Sequence, residues 1–205
     1  QVQQAIGFEN WYLSLLLNEK ELLYATEKYL EMRLEQYEVY FSAIGPYLDV
    51  TECVGDDMAD QRGPSFRLET YRKIFKPMHK RIIETVKKYT DAKIMFHICG
   101  AAAEFLPDLI DIGVEIINPV QPAAAGMDFK KLKQEFGRDL TFWGGIDTQH
   151  ILPFGTPEQV KEHVKEVVTV MSKDGGYIFA PSHDILRGTP VENIAAMYET
   201  VKEYF

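Results

Sequence analysis

From residue 47 to the C-terminus, short apolar runs alternate with amphipathic stretches, and this alternation limits the accessible folds more than any other feature. Strands are expected at 47–54, 93–99, 115–119, 140–145 and 177–181, the first closed by Gly55. Helices are expected at 68–89, 102–112, 128–136, 156–171 and 190–204. Parallel strands need a crossover of a dozen residues or more, usually a helix, so a helix after every strand predicts an α/β fold with a parallel sheet. Five strands suffice for an open doubly wound sheet. A closed eight-stranded barrel needs eight units and about 250 residues. No Gly-x-Gly-x-x-Gly turn follows any strand, so the dinucleotide fingerprint is missing.

Residues 1–46 read as leading helices and 47–205 as βα units, together one partial domain spanning 1–205. After Asn18, an N-cap with Glu21 three residues on, the positions Leu22, Leu23, Tyr29, Leu30, Leu34, Tyr37, Tyr40 and Phe41 keep a near-3.6 period. Gly45-Pro46 stops that helix. An earlier helix is expected at 2–17, where Trp11, Leu13, Leu15, Leu16 and Leu17 predict burial on several sides. Pro77 should kink or split the helix at 68–89.

The chain carries 22 basic and 31 acidic side chains, a net charge of −9, with no dense basic run. That argues against nucleic acid as a partner, because phosphate binding draws on clustered Lys and Arg. A 46% hydrophobic content suits a packed domain. No apolar stretch approaches the roughly 18–20 residues of a membrane span, and no secretory leader is visible, so no membrane association is expected. Cys53 and Cys99 make no disulfide framework, which points to the cytoplasm. The chain opens at Gln1, as a processed product or a piece of a longer protein would.

The strongest chemical constellation is Phe96-His97-Ile98-Cys99-Gly100. Residues i and i+2 of a strand share a face, so the imidazole and the thiol can converge on one ion. Nitrogen and thiolate donors suit zinc, and βα folds place their sites at the carboxyl ends of strands. A third ligand is needed. His183, just after the last strand, is the first candidate and Cys53 the reserve. A packed cysteine beside a hydrogen-bonded histidine is the bland alternative. His79 and His163 sit among charged residues and read as surface groups, and His150 reads as part of a solvated loop. Asp56, Asp57 and Asp60 share a polar loop that is either a solvated acidic surface or part of a site. Phe142, Trp143 and Phe179 read as core, and Ser182 beside His183 does not make a nucleophile pair.

At these residues the chain resembles the C-terminal part of the uroporphyrinogen decarboxylase superfamily, which includes the decarboxylase and zinc-dependent cobamide methyltransferases. The similarity runs from about Tyr47 to Phe205. Its markers are Phe96-His97-Ile98-Cys99-Gly100, Ile117-Asn118-Pro119-Val120-Gln121-Pro122, Trp143-Gly144-Gly145-Ile146-Asp147-Thr148-Gln149, Ala180-Pro181-Ser182-His183 and Thr189-Pro190-Val191-Glu192-Asn193. Together they are specific to the superfamily and not to one activity within it.

The resemblance implies a TIM (βα)8 barrel of which this chain supplies about the last five units. Open strand edges and half a core are unfavourable alone. It therefore implies a missing N-terminal barrel half as partner, a homo-oligomer, or a longer parent protein. The methyltransferases use His-x-Cys for two zinc ligands and usually a cysteine at the position of His183. The resemblance thus implies a zinc site of His97, Cys99 and His183, with a histidine in the unusual place. It implies methyl transfer from a methylcobamide, carried by a corrinoid protein, to a small-molecule thiol. Asp57, Asp147 and His183 are then catalytic candidates, with Asp57, Asp147 and Gln149 placed to orient His97 or the substrate. Arg187 would hold an anionic substrate group. The decarboxylase alternative uses no metal and shares the histidine at His183. It lacks the His-x-Cys-Gly motif, and its arginine-rich segment has no counterpart here. A non-catalytic half-barrel making only a subunit contact is the third reading.

Overall fold

The computed structural model describes residues 2–17 and 19–204. Asn18, the expected N-cap, lies outside the described residues. Five strands form one parallel sheet: β1 (Val50–Gly55), β2 (Lys93–His97), β3 (Ile116–Val120), β4 (Thr141–Ile146) and β5 (Tyr177–Pro181). Their spatial order is β1-β2-β3-β4-β5, each strand beside the next in sequence. A doubly wound sheet would reverse at a switch point. Unbroken order is the winding of a βα barrel, here an arc of five units out of eight.

The helices cover one face of the arc. Ile94, Phe96, Ile117 and Phe142 are fully buried on that face, against Val86, Leu109, Leu132, Val164 and Val168. Alternation sends Lys93 and His97 of β2, and Trp143 of β4, to the other face. Trp143 stays half-exposed there, outside the core in which it was expected, because no strands among the described residues oppose it. β1 and β5 are the edge strands, and every residue of β5 is only half-buried.

Several helices differ from expectation. The segment 2–17 is two helices, α1 (Val2–Ile6) and α2 (Phe8–Leu17), broken at Gly7, whose φ of +85° ends an α-helix. No residue of α2 is buried, and Leu16 is 81% exposed; a largely apolar helix packed on one side only has nothing to cover its other side. α3 (Glu19–Ile44) buries Leu22, Leu30 and Phe41 but leaves Tyr40 exposed. The segment 68–89 divides into α4 (Leu68–Thr70), a π-helical stretch Tyr71–Phe75 and α5 (Lys76–Val86). Pro77 stands in the first turn of α5, where its missing N–H costs nothing.

The remaining crossovers are short. A 3-10 turn leads into α6 (Leu106–Asp111). Asp128 caps α7 (Phe129–Phe136) by accepting from Lys131 N. Thr156 and Gln159 form a capping box at α9 (Pro157–Met171). A one-turn helix α8 (Ile151–Phe154) was not expected, and the final helix α10 (Val191–Val201) stops three residues early.

Two histidines expected at the surface are inside. His79 is 4% exposed, and His163 is half-buried with Nε2 accepting from Asp147 N at 3.1 Å. Burial lowers the pKa of His163. Both lie on helix faces rotated away from their charged neighbours in sequence, since adjacent helical residues differ by about 100°.

Ion pairs around the buried Asp108 tie the π-helical stretch and α5 to α6. Asp108 accepts from Arg72 Nε at 2.9 Å and from Lys76 Nζ at 2.7 Å. Burial alone would raise the Asp108 carboxyl, but these two cations outweigh it and hold the group below its ordinary value. A depressed carboxyl stabilises the fold above its unfolded pKa, and that contribution fades as pH falls through the lower folded value. Asp108→Asn should therefore cost about 2–3 kcal/mol at pH 7, and its deficit in urea unfolding should shrink below about pH 4. A deficit equal at pH 7 and pH 3 would contradict this account.

Candidate metal centre and strand-end rim

His97 closes β2, and Cys99 follows in the turn after it. The Cys99 Sγ lies 3.5 Å from His97 Nε2. The loop after β1 brings Asp57 to the same point: ligand atoms of Asp57, His97 and Cys99 all lie within 4.8 Å of one another. Among the described residues this is the cluster of His, Cys, Asp and Glu that could hold a metal ion. Asp57 was expected to orient other groups, and its place beside the His-x-Cys pair is what sequence spacing missed. No local period links a β1 loop to a β2 turn.

The support beneath these groups sets their chemistry. Asn118, paired with His97 across β2 and β3, lies with Oδ1 2.9 Å from His97 Nδ1. A carboxamide oxygen only accepts, so Nδ1 carries the proton and Nε2 presents its lone pair toward Cys99. Burial first, and then the Asp57 carboxylate, push the Cys99 thiol up to about 11. Without a cation it is a protonated thiol at neutral pH. Asp57 Oδ1 accepts from Cys99 N at 3.1 Å, and Gln121 Oε1 accepts from Gly100 N at 2.6 Å. Asn118 and Gln121 stood in recognised motifs, but their roles depend on strand register and were not legible.

Gly100 is where the loop can be built only one way. Its φ is +81°, and an added Cβ would overlap the carbonyl oxygen of Asp60. That carbonyl accepts from Ala101 N at 2.8 Å, while Asp60 Oδ1 takes the amides of Arg62 and Gly63. The turns after β1 and β2 are thus stitched together by backbone contacts directly under the cluster.

The other sequence candidates lie along the same rim. His183 is exposed and is not part of the metal-type cluster; it lines a cavity of about 530 Å³ with Gln121, Thr148, Gln149, Asp184 and Arg187. The side chain of Gln149 pairs reciprocally with that of Gln61 at 3.1 and 3.3 Å. Asp147 is engaged within its own loop: Oδ1 accepts from Gln149 N at 2.7 Å and His150 N at 3.0 Å, and Oδ2 meets His150 Nδ1 at 3.1 Å. Ser182 is buried and donates to the Ile146 carbonyl, away from any pairing with His183. Cys53, the reserve ligand, is 5% exposed in the core, and burial raises its thiol to about 12.

A sequence model of the uroporphyrinogen decarboxylase (URO-D) family matches residues 54–204. The chain belongs to that family. A methylated-thiol–coenzyme M methyltransferase from Methanosarcina mazei is 28% identical over 139 residues, covering 66% of this chain and 33% of the relative. A uroporphyrinogen decarboxylase from Crocosphaera subtropica is 27% identical over 149 residues, covering 72% of this chain and 39% of the relative. This URO-D chain therefore spans about a third to two fifths of the length of these two curated relatives. A solved methyltransferase from Methanosarcina mazei matches with a TM-score of 0.59 at 23% identity, over 83% of this chain and 47% of that one. That likeness speaks to the fold. URO-D relatives thus include enzymes of two activities, methyl transfer and decarboxylation. Among the described residues no helix is long and apolar enough to cross a membrane.

Proposed function

We propose that these residues form the zinc-binding part of a methyltransferase that moves a methyl group from a methylated corrinoid, held by a partner protein, to a thiol. The observation that carries this reading is the convergence of Asp57, His97 and Cys99 at the carboxyl ends of β1 and β2. An imidazole, a thiol and a carboxylate are the donor types zinc takes, and three protein ligands leave a fourth position for substrate. His97 offers a free Nε2 lone pair because Asn118 holds its other nitrogen. Cys99 gives up its proton on becoming a ligand. Asp57 completes the set, with His183 as the rival third ligand on the neighbouring rim.

Zinc held by Asp57, His97 and Cys99 would supply the Lewis acidity that makes an acceptor thiol more acidic and more nucleophilic. The chain's own residues do the rest. Gln121 and Gly100 hold the cysteine loop. Gln149, positioned by Asp147, and Arg187 line the rim cavity and orient the acceptor, Arg187 by pairing with an anionic group on it. A barrel half beyond these residues shields the centre from water.

A decarboxylase reading is favoured by one observation: His183 stands apart from the metal-type cluster, beside Arg187, as a group acting on an anionic tetrapyrrole would. Zinc content and uroporphyrinogen turnover separate the two readings. The methyltransferase reading expects near-stoichiometric zinc and methylation of a thiol from methylcobalamin. Zinc-free protein that consumes uroporphyrinogen would reverse the assignment.

Asn118→Leu tests the orientation argument. It frees His97 to take either tautomer, so zinc affinity should fall roughly 10–100-fold, as for other partners that orient a ligand. Competition against a chromogenic chelator measures this, and an unchanged affinity would remove Asn118 from the account.

A further inference from the structure

Behind the ligand cluster, on the helix side of the sheet, lies a polar group that the proposed mechanism leaves unused. His79, on α5, is 4% exposed, and Tyr71, in the π-helical stretch, is fully buried. Tyr71 Oη stands 3.4 Å from His79 Nδ1, and His79 Nε2 stands 2.9 Å from Asp56 Oδ2. A carboxylate only accepts, so Nε2 carries the proton, and the tyrosine hydroxyl donates to Nδ1. The three groups make one directed chain, Tyr71 to His79 to Asp56.

Both ends of the metal-type cluster rest on that chain. Asp56 precedes Asp57, and its own N–H donates to the His97 carbonyl at 3.1 Å. The His79 ring packs edge-on against Phe96, the neighbour of His97, at 5.1 Å between centroids. One imidazole thus touches the loop that carries Asp57 and the strand that carries His97. An apolar residue at 79 would pack against Phe96 without the desolvation that a buried imidazole bears. The π-helical winding at Tyr71–Phe75 adjoins it, and such single π turns frequently occur at functional sites.

Resting on the zinc reading above, we infer that His79, oriented by Tyr71, is a positioning residue for the metal centre. It clamps Asp56 and so fixes the approach of Asp57 to His97 and Cys99. Removing the clamp leaves His97 and Cys99 in place but lets Asp57 drift from them.

The test is zinc affinity of the natural full-length protein, read by chelator competition alongside thermal unfolding. His79→Phe keeps the ring volume and loses both hydrogen bonds; it should weaken zinc binding roughly 10–100-fold. His79→Gln, which can still donate to Asp56, should recover most of that loss, and Tyr71→Phe should fall between. Thr90→Ala is the comparator. Thr90 is buried before β2 begins, at the end of the strand opposite His97, and its hydroxyl donates to Gly45 O at 2.7 Å. It should lower the unfolding temperature without moving zinc affinity. An unchanged affinity in folded His79→Phe, or an equal loss in Thr90→Ala, overturns the inference alone. Wild-type protein without zinc affinity overturns the zinc reading and this inference together.

Discussion

Cys99→Ser should leave the proposed metal centre empty. Protein purified without chelator should carry about one zinc per barrel, and the variant close to none. The thiolate is the softest donor of the set, and a serine hydroxyl stays protonated and binds zinc weakly. The loss should exceed the roughly 10–100-fold that a supporting partner costs, because a ligand and its negative charge both go. The variant keeps the fold, since Cys99 is only half-buried and outside the core cluster. Asp57→Asn and His183→Ala, measured beside it, decide the third ligand. Zinc lost in Asp57→Asn and retained in His183→Ala selects the cluster described above; the opposite pattern selects the His97–Cys99–His183 set. Retention of zinc in Cys99→Ser would end the proposal.

Gly100→Ala should be strongly destabilising. The residue must keep φ near +81°, and the new Cβ meets a backbone carbonyl that cannot swing aside like a flexible side chain. Left-handed strain and overpacking together cost about 3–5 kcal/mol. For a domain of this size that is a fall of roughly 10 °C or more in unfolding temperature. The Asp60 carbonyl also holds Ala101 N, so the damage falls on the loop that carries Cys99. Urea unfolding and zinc content should fall together. A variant of wild-type stability would show that the two turns are not packed as described.

The strands were legible because their message is local. Five apolar runs, each bounded by Gly, Pro or charged residues, lie within a few positions of the observed strands, and the strand at Tyr177–Pro181 matches residue for residue. The helix start at Thr156, marked by a capping side chain, was legible for the same reason. Where the chain depends on what covers it, local pattern fails. The apolar residues of α2 predicted burial, but only an opposing surface can bury them. Trp143 has the character of a core residue and stands on the face that no strand among the described residues opposes.

The site divides along the same line. Period-two spacing predicted His97 and Cys99 on one side of a strand; β2 ends at His97, and the turn after it brings Cys99 Sγ to 3.5 Å from His97 Nε2. Asp57 joins them because β1 and β2 are neighbours in register, Gly55 opposite His97. Asn118 fixes the imidazole because β3 continues that register. His79 looked like a surface residue among Lys76, Lys80 and Arg81, yet one step around the helix turns it into the core. Sequence by itself determined the alternation, the parallel sheet it implies and the pair of donors at the end of β2, since each is read from patterns among residues close along the chain. The tertiary structure decided the barrel winding, the approach of Asp57 to that pair and the buried groups behind it. Those rest on which strands and helices become neighbours, a choice made by burial of the whole core and written in no single segment.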